Sequence, residues 1–580
     1  MGAVGLVAVL TWNGAACSVI PTGDKAIAVD NERKSNPLGD PYARVIAMPP
    51  SPSWTAEEVV TGFRAAMASV DDPRREVARK YLTDDFAGKW NPLSGVTVYK
   101  QEEYVPTQEG EKETRVTLKG TVTAMIDQDG RYWPKSTTLN EPFTLVKGAG
   151  GWRISSAPDG LMLSEADVDR AYLKVDLYFL DSAWKGLVAD QVRVPIDPSS
   201  NFAKTTVERL LKGPSSLLRK AVNSAFRPGT ELIDVTTDDN RVVVDLTKPV
   251  DSDRIAPMSA QLAATLSGLT NGGWGFEIRV NGELYYSDTA LQIAAQEQSD
   301  FDPWMTPGEV RPYYLAGGAL WQLGNDKVGR QIQVGEGEMG DARIRPAISN
   351  QGQVAALSKD GTKVSVAPLT VGGKWQDRFT GDSLTPPSWD RYDTLWTVDR
   401  PSDHSSTVLR TGNDGKQYRV TVPDLDTVYV KALKVARDGV HVAVVVKNGT
   451  GEEEVEIGTI VGRGGDTRIT DLQSVVSADG GQTIKDIAWK DGKSLYVLTG
   501  KSELLEASVT DEPKSLASNA RIETITALDG SLLAGAVDDN GNRQVLSWNR
   551  GSAKWEAMVK EGGSTDFTEK GPSSPAYPLG

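Results

Sequence analysis

The chain has 580 residues, with 63 basic against 78 acidic side chains, a formal net charge of −15 and a pI near 4.9. That balance repels polyphosphate and excludes nucleic-acid binding driven by counterion release. A single cysteine excludes an intrachain disulfide, and 39% apolar residues suffice for ordinary cores, so stability must come from packing. At roughly 100–200 residues per domain, the length predicts three or four folded units.

The chain opens on "MGAVGLVAVLTW", apolar, uncharged and about as long as a secretion h-region. It is too short to cross a bilayer, which needs about 20 apolar residues. Gly14, Ala15 and Ala16 then lead into Cys17. An export segment, small residues that a peptidase accommodates and a thiol that accepts diacylglycerol together make a lipoprotein signal. Residues 1–16 therefore read as a signal peptide and Cys17 as the lipid attachment site, carrying diacylglycerol and an amide-linked acyl chain such as palmitate. Residues 17–53 read as a polar, proline-rich tether. The competing reading makes Cys17 an inert buried thiol. Beyond this start, no run of about 20 apolar residues recurs.

Residues 54–165 form the first expected domain. In "SWTAEEVVTGFRAAMASV" a capping Ser/Thr and early glutamates precede apolar residues at helical spacing, with Val59, Phe63, Ala66 and Val70 on one face. "DDPRREVARKYLTDDFAGKW" predicts a second helix starting at Asp72-Pro73. The alternating stretches "VTVYKQEEY", "RVTLKGTVTAMI" and "NEPFTLVKGAGGWRISSAP" predict strands. Helices followed by a curved antiparallel sheet with a "GGWRI" strand resemble NTF2-like α+β domains. The cone of that fold either holds a ligand at its mouth or is filled by side chains.

Residues 170–290 form the second. "VDLYFLD" and "QVRVPID" predict strands, and "SSNFAKTTVERLLKGPSS" a capped helix stopped at Gly213-Pro214. A hairpin follows, turned at Asp238-Asp239-Asn240, then a helix in "MSAQLAATLSGLTN", then a hairpin turned at Asn281-Gly282. The order of Leu177, Tyr178, Phe179, Gly213, Pro214, Pro228 and Gly229 resembles the α+β GerMN domain of bacterial extracytoplasmic proteins. These residues suit core and turn positions, so they identify a fold and no chemistry.

Residues 305–580 contain no convincing amphipathic helix. Strand pairs recur around Asp-Gly turns in "AALSKDGTKVSVAPL", "KVARDGVHVAVVV", "IAWKDGKSLYVLTG" and "ITALDGSLLAGAVDDNG", with Tyr392-Asp393 taking that place in "PPSWDRYDTLWTVD". Their spacing, roughly 30–50 residues, is that of propeller blades. An all-β propeller of six or seven blades is expected, with a pair of β-sandwiches as the rival.

Signal cysteine, NTF2-like domain, GerMN domain and propeller, in that order, resemble the LpqB lipoprotein family of actinobacteria. The resemblance implies an accessory protein lipid-anchored to the extracytoplasmic face of the cell membrane. Its implied partner is the extracytoplasmic domain of an MtrB-like sensor kinase of the MtrAB two-component system. Its implied role is signal transduction in envelope homeostasis and division, with cell-wall polymer as a further possible contact.

No common catalytic motif stands out. Histidine occurs only as His404 and His441, both read as solvated loop or strand-edge residues. Ser402, Asp403 and His404 are adjacent in sequence, where side chains diverge and cannot build a triad. "GEGEMG" (335–340) matches a nucleotide-binding glycine pattern but is acidic and runs into Pro346 in place of a helix, so it reads as a blade connection. "SADGGQTI" has Ile484 where a sialidase-type box has Trp, and "DDNG" (538–541) reads as a hairpin turn without full calcium-loop spacing. No catalytic residue, metal ligand or cofactor is expected. Trp304, Tyr313, Tyr314, Trp375, Trp389 and Trp396 could form a recognition surface or pack between blades. Two readings stand: a lipid-anchored binding protein, and an envelope carbohydrate-binding or carbohydrate-hydrolysing propeller with an acidic pair.

Overall fold

The computed structural model describes residues 47–559 and 571–580, except residues 109, 197–201, 239–240, 268–274, 288–299, 305–309, 326, 335–342, 412–414, 424, 479–480 and 517–519. Helix α1 (Ala56–Met67) starts at a capping box. Thr55 accepts from the Glu58 amide at 3.2 Å while the Glu58 carboxylate accepts from the Thr55 amide at 2.7 Å. Its predicted apolar face is buried: Val59, Phe63, Ala66 and Val70 all join the first core.

That face packs near the sheet of β1 (Val96–Gln108), β2 (Glu113–Ile126), β3 (Tyr132–Gly148), β4 (Gly151–Ser156) and β5 (Leu161–Ser164). The strand order is β4-β3-β2-β1-β5, with β5 parallel to β1 and the other pairs antiparallel. Phe63 sits within 5.2–6.4 Å, ring to ring, of Tyr81, Trp90 and Phe143, and all four side chains are buried. Aromatic side chains thus fill this core.

The single helix expected over 71–90 is instead two short ones, α2 (Glu76–Arg79) and α3 (Asp84–Ala87). The Asp72 carboxylate accepts from the amides of Glu76 (2.9 Å) and Val77 (2.7 Å), and Arg75 is left-handed at φ 57°, so the helix starts later than Pro73 suggests. It stops early because β4 recruits the backbone. The Ile154 amide donates to the Tyr81 carbonyl and the Thr83 amide to the Ile154 carbonyl, both at 2.9 Å. Those bonds compete with helix propagation and win.

Helix α4 (Glu165–Ala171), capped by Ser164, leads into the middle domain. Its elements are β6 (Tyr172–Asp181), β7 (Leu187–Pro195), α5 (Phe202–Leu211), β8 (Val222–Asn223), β9 (Leu232–Asp238), β10 (Arg241–Leu246), α6 (Ile255–Ser267), β11 (Gly275–Val280) and β12 (Glu283–Ser287). They form two sheets, β7-β6-β8 and β12-β11-β10-β9. Strands β10 and β11 are parallel, which demands a crossover, and α6 supplies it. Every residue of α6 from Pro257 to Leu266 is buried, as expected for a helix that is apolar nearly all round. Two of its buried polar side chains bind neighbouring backbone: the Gln261 oxygen accepts from the Ala225 amide (2.9 Å) and Thr265 from the Tyr178 amide (3.1 Å). The β11–β12 hairpin turns on Asn281 (φ 53°) and Gly282 (φ 83°), the backbone that Asn-Gly favours.

The C-terminal part consists, among the described residues, of six four-stranded antiparallel sheets arranged as a propeller. Blades 2 to 6 occupy residues 343–380, 388–419, 429–477, 484–515 and 521–557 in chain order. Blade 1 is built from both ends: Tyr313–Ala316, Ala319–Leu323 and Gly329–Ile332 are joined by Ser573–Ala576 as the innermost strand. Successive innermost strands touch, and Ser573–Ala576 touches those of blades 2 and 6, so the ring is closed. The turns at Tyr392-Asp393, Asp438-Gly439, Asp491-Gly492 and Asp529-Gly530 join first to second strands, at one end of the ring. Asp360-Gly361 is different, joining the second and third strands of blade 2. Hairpins look alike locally, which is why the sequence repeat does not separate them.

Candidate functional site

The first-to-second-strand turns of blades 3, 4 and 5 face the middle domain, and there the chain concentrates its polar contacts. Val440, beside the Asp438-Gly439 turn, is buried inside the middle domain's own core, with Val461 and Val509 packed against it. Around this apolar plug lies a ring of polar bonds. Lys493 pairs with Asp176, Lys174 with Asp511, and the Tyr392 hydroxyl donates to Asp181. Arg463 Nε donates to Ser182 Oγ at 2.9 Å and Arg391 to the Lys185 carbonyl at 3.3 Å. Thr510 donates to the Gln191 side-chain oxygen.

Two buried carboxylates mark the centre. Asp190 accepts from the Ser215 amide (2.6 Å) and hydroxyl (2.8 Å), yet burial pushes its pKa above the ordinary carboxylate value. Asp438 accepts from the amides of Val440 (2.8 Å) and His441 (2.9 Å) and contacts His441 Nδ1 at 2.7 Å. Burial opposes both charges of this pair, but their mutual attraction outweighs it. His441 is held above its usual pKa, with Asp190 and Asp491 adding to the effect, and Asp438 below its own.

The first domain is tied to the middle one by a smaller set. The turn 127–131 gives its Gly130 carbonyl to the Arg193 amide and its Asp129 carbonyl to Arg209 Nε, both at 2.7 Å. Arg219 pairs with Asp129 at 2.5 Å, and Arg131 donates to Ser216 at 3.1 Å.

A second feature is the propeller axis. At the end where the innermost strands begin, opposite the turns that meet the middle domain, a cavity of about 200 Å³ is lined by Arg345, Lys431, Lys434, Lys485 and Asp486. Arg345 pairs with Asp486 at 2.9 Å, Lys431 with Glu453 at 2.9 Å, and Lys485 donates to the Ile522 carbonyl at 3.0 Å. Lys434 donates to the Gly580 carbonyl at 3.2 Å, and burial holds its pKa below the usual lysine value.

Of the residues singled out from sequence, Cys17 and the 335–340 glycine pattern lie outside the described residues. His404 is exposed in a blade 3 turn, its amide 3.4 Å from Ser402 Oγ. His441 is a correction: expected at a solvated edge, it is 5% exposed, because the middle domain covers the strand that carries it. Ile484 is buried at the start of blade 5, and the Asp538 carboxylate accepts from the Asn540 and Asn542 amides, both at 2.8 Å, as a hairpin turn requires. The six aromatics do not form an open surface. Tyr314, Trp389 and Trp396 are buried, while Trp304, Tyr313 and Trp375 are half-buried against blade cores. No group of three or more His, Cys, Asp or Glu side chains suited to a metal ion occurs among the described residues.

The interface charges Asp176, Asp181, Asp190 and Lys493 escaped sequence reading, since in one chain of 78 acidic residues nothing local distinguishes them. The one signal available was Asp438-Gly-Val-His441, in which carboxylate and imidazole are spaced to meet across a tight turn. What these groups do chemically is hold, since each is occupied by a partner across a domain boundary or within the core.

Comparison with known proteins assigns families to these parts. Residues 49–169 match the model described as Lipoprotein LpqB, N-terminal domain, and residues 318–569 that of the Lipoprotein LpqB beta-propeller domain. Residues 176–286 match the model described as Sporulation and spore germination. Lipoprotein LpqB of Streptomyces coelicolor is 31% identical over 513 aligned positions, covering 80% of each chain. That of Thermobifida fusca is 29% identical over 604, covering 92% of this chain and 95% of its own. Among solved structures, TolB from Acinetobacter baumannii aligns over 51% of this chain and 74% of its own at 11% identity. Its TM-score, 0.36, is too low to carry an argument.

Proposed function

We infer that this chain, which belongs to the LpqB lipoprotein family, acts by binding: a lipid-anchored extracytoplasmic protein that presents its propeller to a membrane sensor kinase. The observation that supports this most is the boundary between middle domain and propeller. Val440 inserted into a foreign core, ringed by Asp176–Lys493, Asp181–Tyr392 and Asp511–Lys174, makes two domains into one body. Such a body positions a docking surface at a set distance from its tether, which suits an adaptor. No helix among the described residues is long and apolar enough to cross a membrane, so the anchor in this reading is Cys17. A single acyl chain gives only marginal attachment, and the diacylglycerol plus amide-linked chain proposed for Cys17 meets the two-signal requirement. Sharing a bilayer with its partner raises the effective concentration toward the millimolar range, where even a weak contact is largely occupied.

The test is Cys17→Ser expressed at native abundance in a strain lacking the gene. We expect poor restoration of kinase signalling, with weak but measurable binding of the released protein to the purified extracytoplasmic sensor domain. Photo-crosslinkers at exposed propeller positions such as Val371 (80% exposed) should capture the kinase from intact cells only when Cys17 is present. Full signalling by the untethered protein would overturn the reading.

A further inference from the structure

Beside the interface lies a cleft of about 440 Å³, within the usual size range of small-ligand pockets. Ser182 and Lys185 of the middle domain form one wall; Trp396, Arg410, Tyr418 and Arg463 of blades 3 and 4 form the others. Among the described residues its charged lining comprises Lys185, Arg410 and Arg463 together with the Asp390 carboxylate, in a chain of net charge −15. Arg410 attracts the carboxylate from further away, while most of the carboxylate's hydrogen bonds come from neutral donors. Its oxygens accept from the amides of Tyr392 (2.8 Å) and Thr394 (3.0 Å) and from Trp396 Nε1 (3.0 Å). Burial pushes its pKa up to about 6, so part of its charge is lost in mildly acidic medium.

The arginine at the base is pre-oriented. Its guanidinium lies 5.9 Å from the Trp396 ring centroid and 5.5 Å from that of Tyr418, and Nη2 donates to the Gly464 carbonyl at 2.5 Å. A planar guanidinium held on aromatic faces is the group that reads a carboxylate or phosphate through two parallel bonds. Lys185 and Arg463 are both exposed at the mouth, where Arg463 donates to Ser182 and its charge acts on the Asp181 carboxylate from further off. Half-buried tyrosine rings and the Ser182 and Thr467 hydroxyls complete a lining that suits a hydroxylated ring.

We propose that this cleft binds a small anionic sugar, one carrying a carboxylate or a phosphate group, and that the ligand bridges the middle domain and the propeller. The experiment is calorimetric titration of the full chain, purified in detergent, with glucuronate, glucose 1-phosphate and glucose. Saturable binding of at least one charged sugar, with glucose silent, is expected, and comparison of the two charged probes identifies which anion the site prefers. The double variant Lys185→Ala/Arg463→Ala, altering two exposed side chains, should leave circular dichroism unchanged and weaken binding at least about tenfold. Silence of both charged sugars at millimolar concentration, equal binding of glucose, or undiminished binding by the double variant would overturn the proposal.

Discussion

Replacing Asp438 by Asn tests the electrostatic account of the domain boundary. The amide side chain keeps the shape and can still accept from the Val440 and His441 amides, at 2.8 and 2.9 Å in the native protein. What disappears is the charge facing His441 Nδ1 at 2.7 Å. A hydrogen bond involving a charged group contributes about 1.5–3 kcal/mol, so the variant should lose stability in that range. For a unit of this size that is a fall in melting temperature of roughly 3–12 °C.

The pH dependence is the sharper readout. An unfolded histidine titrates near about 6.5 and an unfolded aspartate near about 3.9. His441 is raised in the folded state, so its contribution is complete below about 6.5 and lost as pH rises through the folded value. Asp438 is depressed, so its contribution is present above about 3.9 and lost as pH falls through its folded value. The pair therefore stabilises most between about pH 4 and 6.5. In Asp438→Asn, burial is no longer outweighed by an adjacent carboxylate, and His441 should drop below its unfolded pKa. Its contribution then reverses, being lost as pH falls below about 6.5. Asp190 and Asp491 remain in both proteins and the Asp438 titration itself falls below about pH 4, so above that pH the difference between the two stability profiles isolates His441. With only two histidines in the chain, carbon-13 labelling of histidine gives two ring signals, and His404→Gln assigns them. A native His441 signal titrating at or below about 6.5, or parallel stability profiles, would refute the reasoning.

Deleting residues 571–580 removes the innermost strand of blade 1, the buried Leu579 and the Pro578 carbonyl that accepts from Arg437 at 2.5 Å. The loss should be on the order of a domain's whole net stability, about 5–15 kcal/mol, seen as a protease-sensitive propeller without a cooperative melt. Val440→Asp puts an unpaired carboxylate into the middle domain's core and should cost about 3–5 kcal/mol. Small-angle scattering should then show a larger radius of gyration, and an unchanged radius would contradict the plug. Gly62→Ala improves helix propensity by about 1 kcal/mol. Its methyl would nevertheless lie 2.6 Å from the Tyr81 hydroxyl, which donates to the Met48 carbonyl at 2.5 Å, and 2.8 Å from Trp54. Overpacking of about 1–3 kcal/mol should win, lowering the urea midpoint of the first domain.

Much of the architecture was legible wherever local chemistry and tertiary context agree. The α1 face of Val59, Phe63 and Ala66, the Asn281-Gly282 hairpin and the Asp-Gly turns all follow from side-chain period and backbone preference. The split of 71–90 into α2 and α3 was illegible because its cause is a hydrogen bond to Ile154, far along the chain. The burial of His441 comes from another domain, and its own strand pattern, valines on every side, gives no hint of what covers it. The closing strand was illegible for a different reason. "SSPA" has weak strand propensity and carries a proline, and it is held by a neighbour some 260 residues earlier. The basic lining of the interdomain cleft assembles from residues 185, 410 and 463, which no motif joins.

That closing strand has a consequence for how the molecule comes into being. A ring sealed by Ser573–Ala576 against Tyr313–Ala316 cannot shut until that strand has left the ribosome. The first and middle domains are complete before it in the chain and can fold as they emerge, as domains generally do. Five blades must then wait as partly formed sheets with open edges, and a contact spanning so much sequence closes slowly. A chain cut short anywhere before Ser573 therefore offers the propeller no seam and leaves the folded first and middle domains attached to an open, degradable remainder.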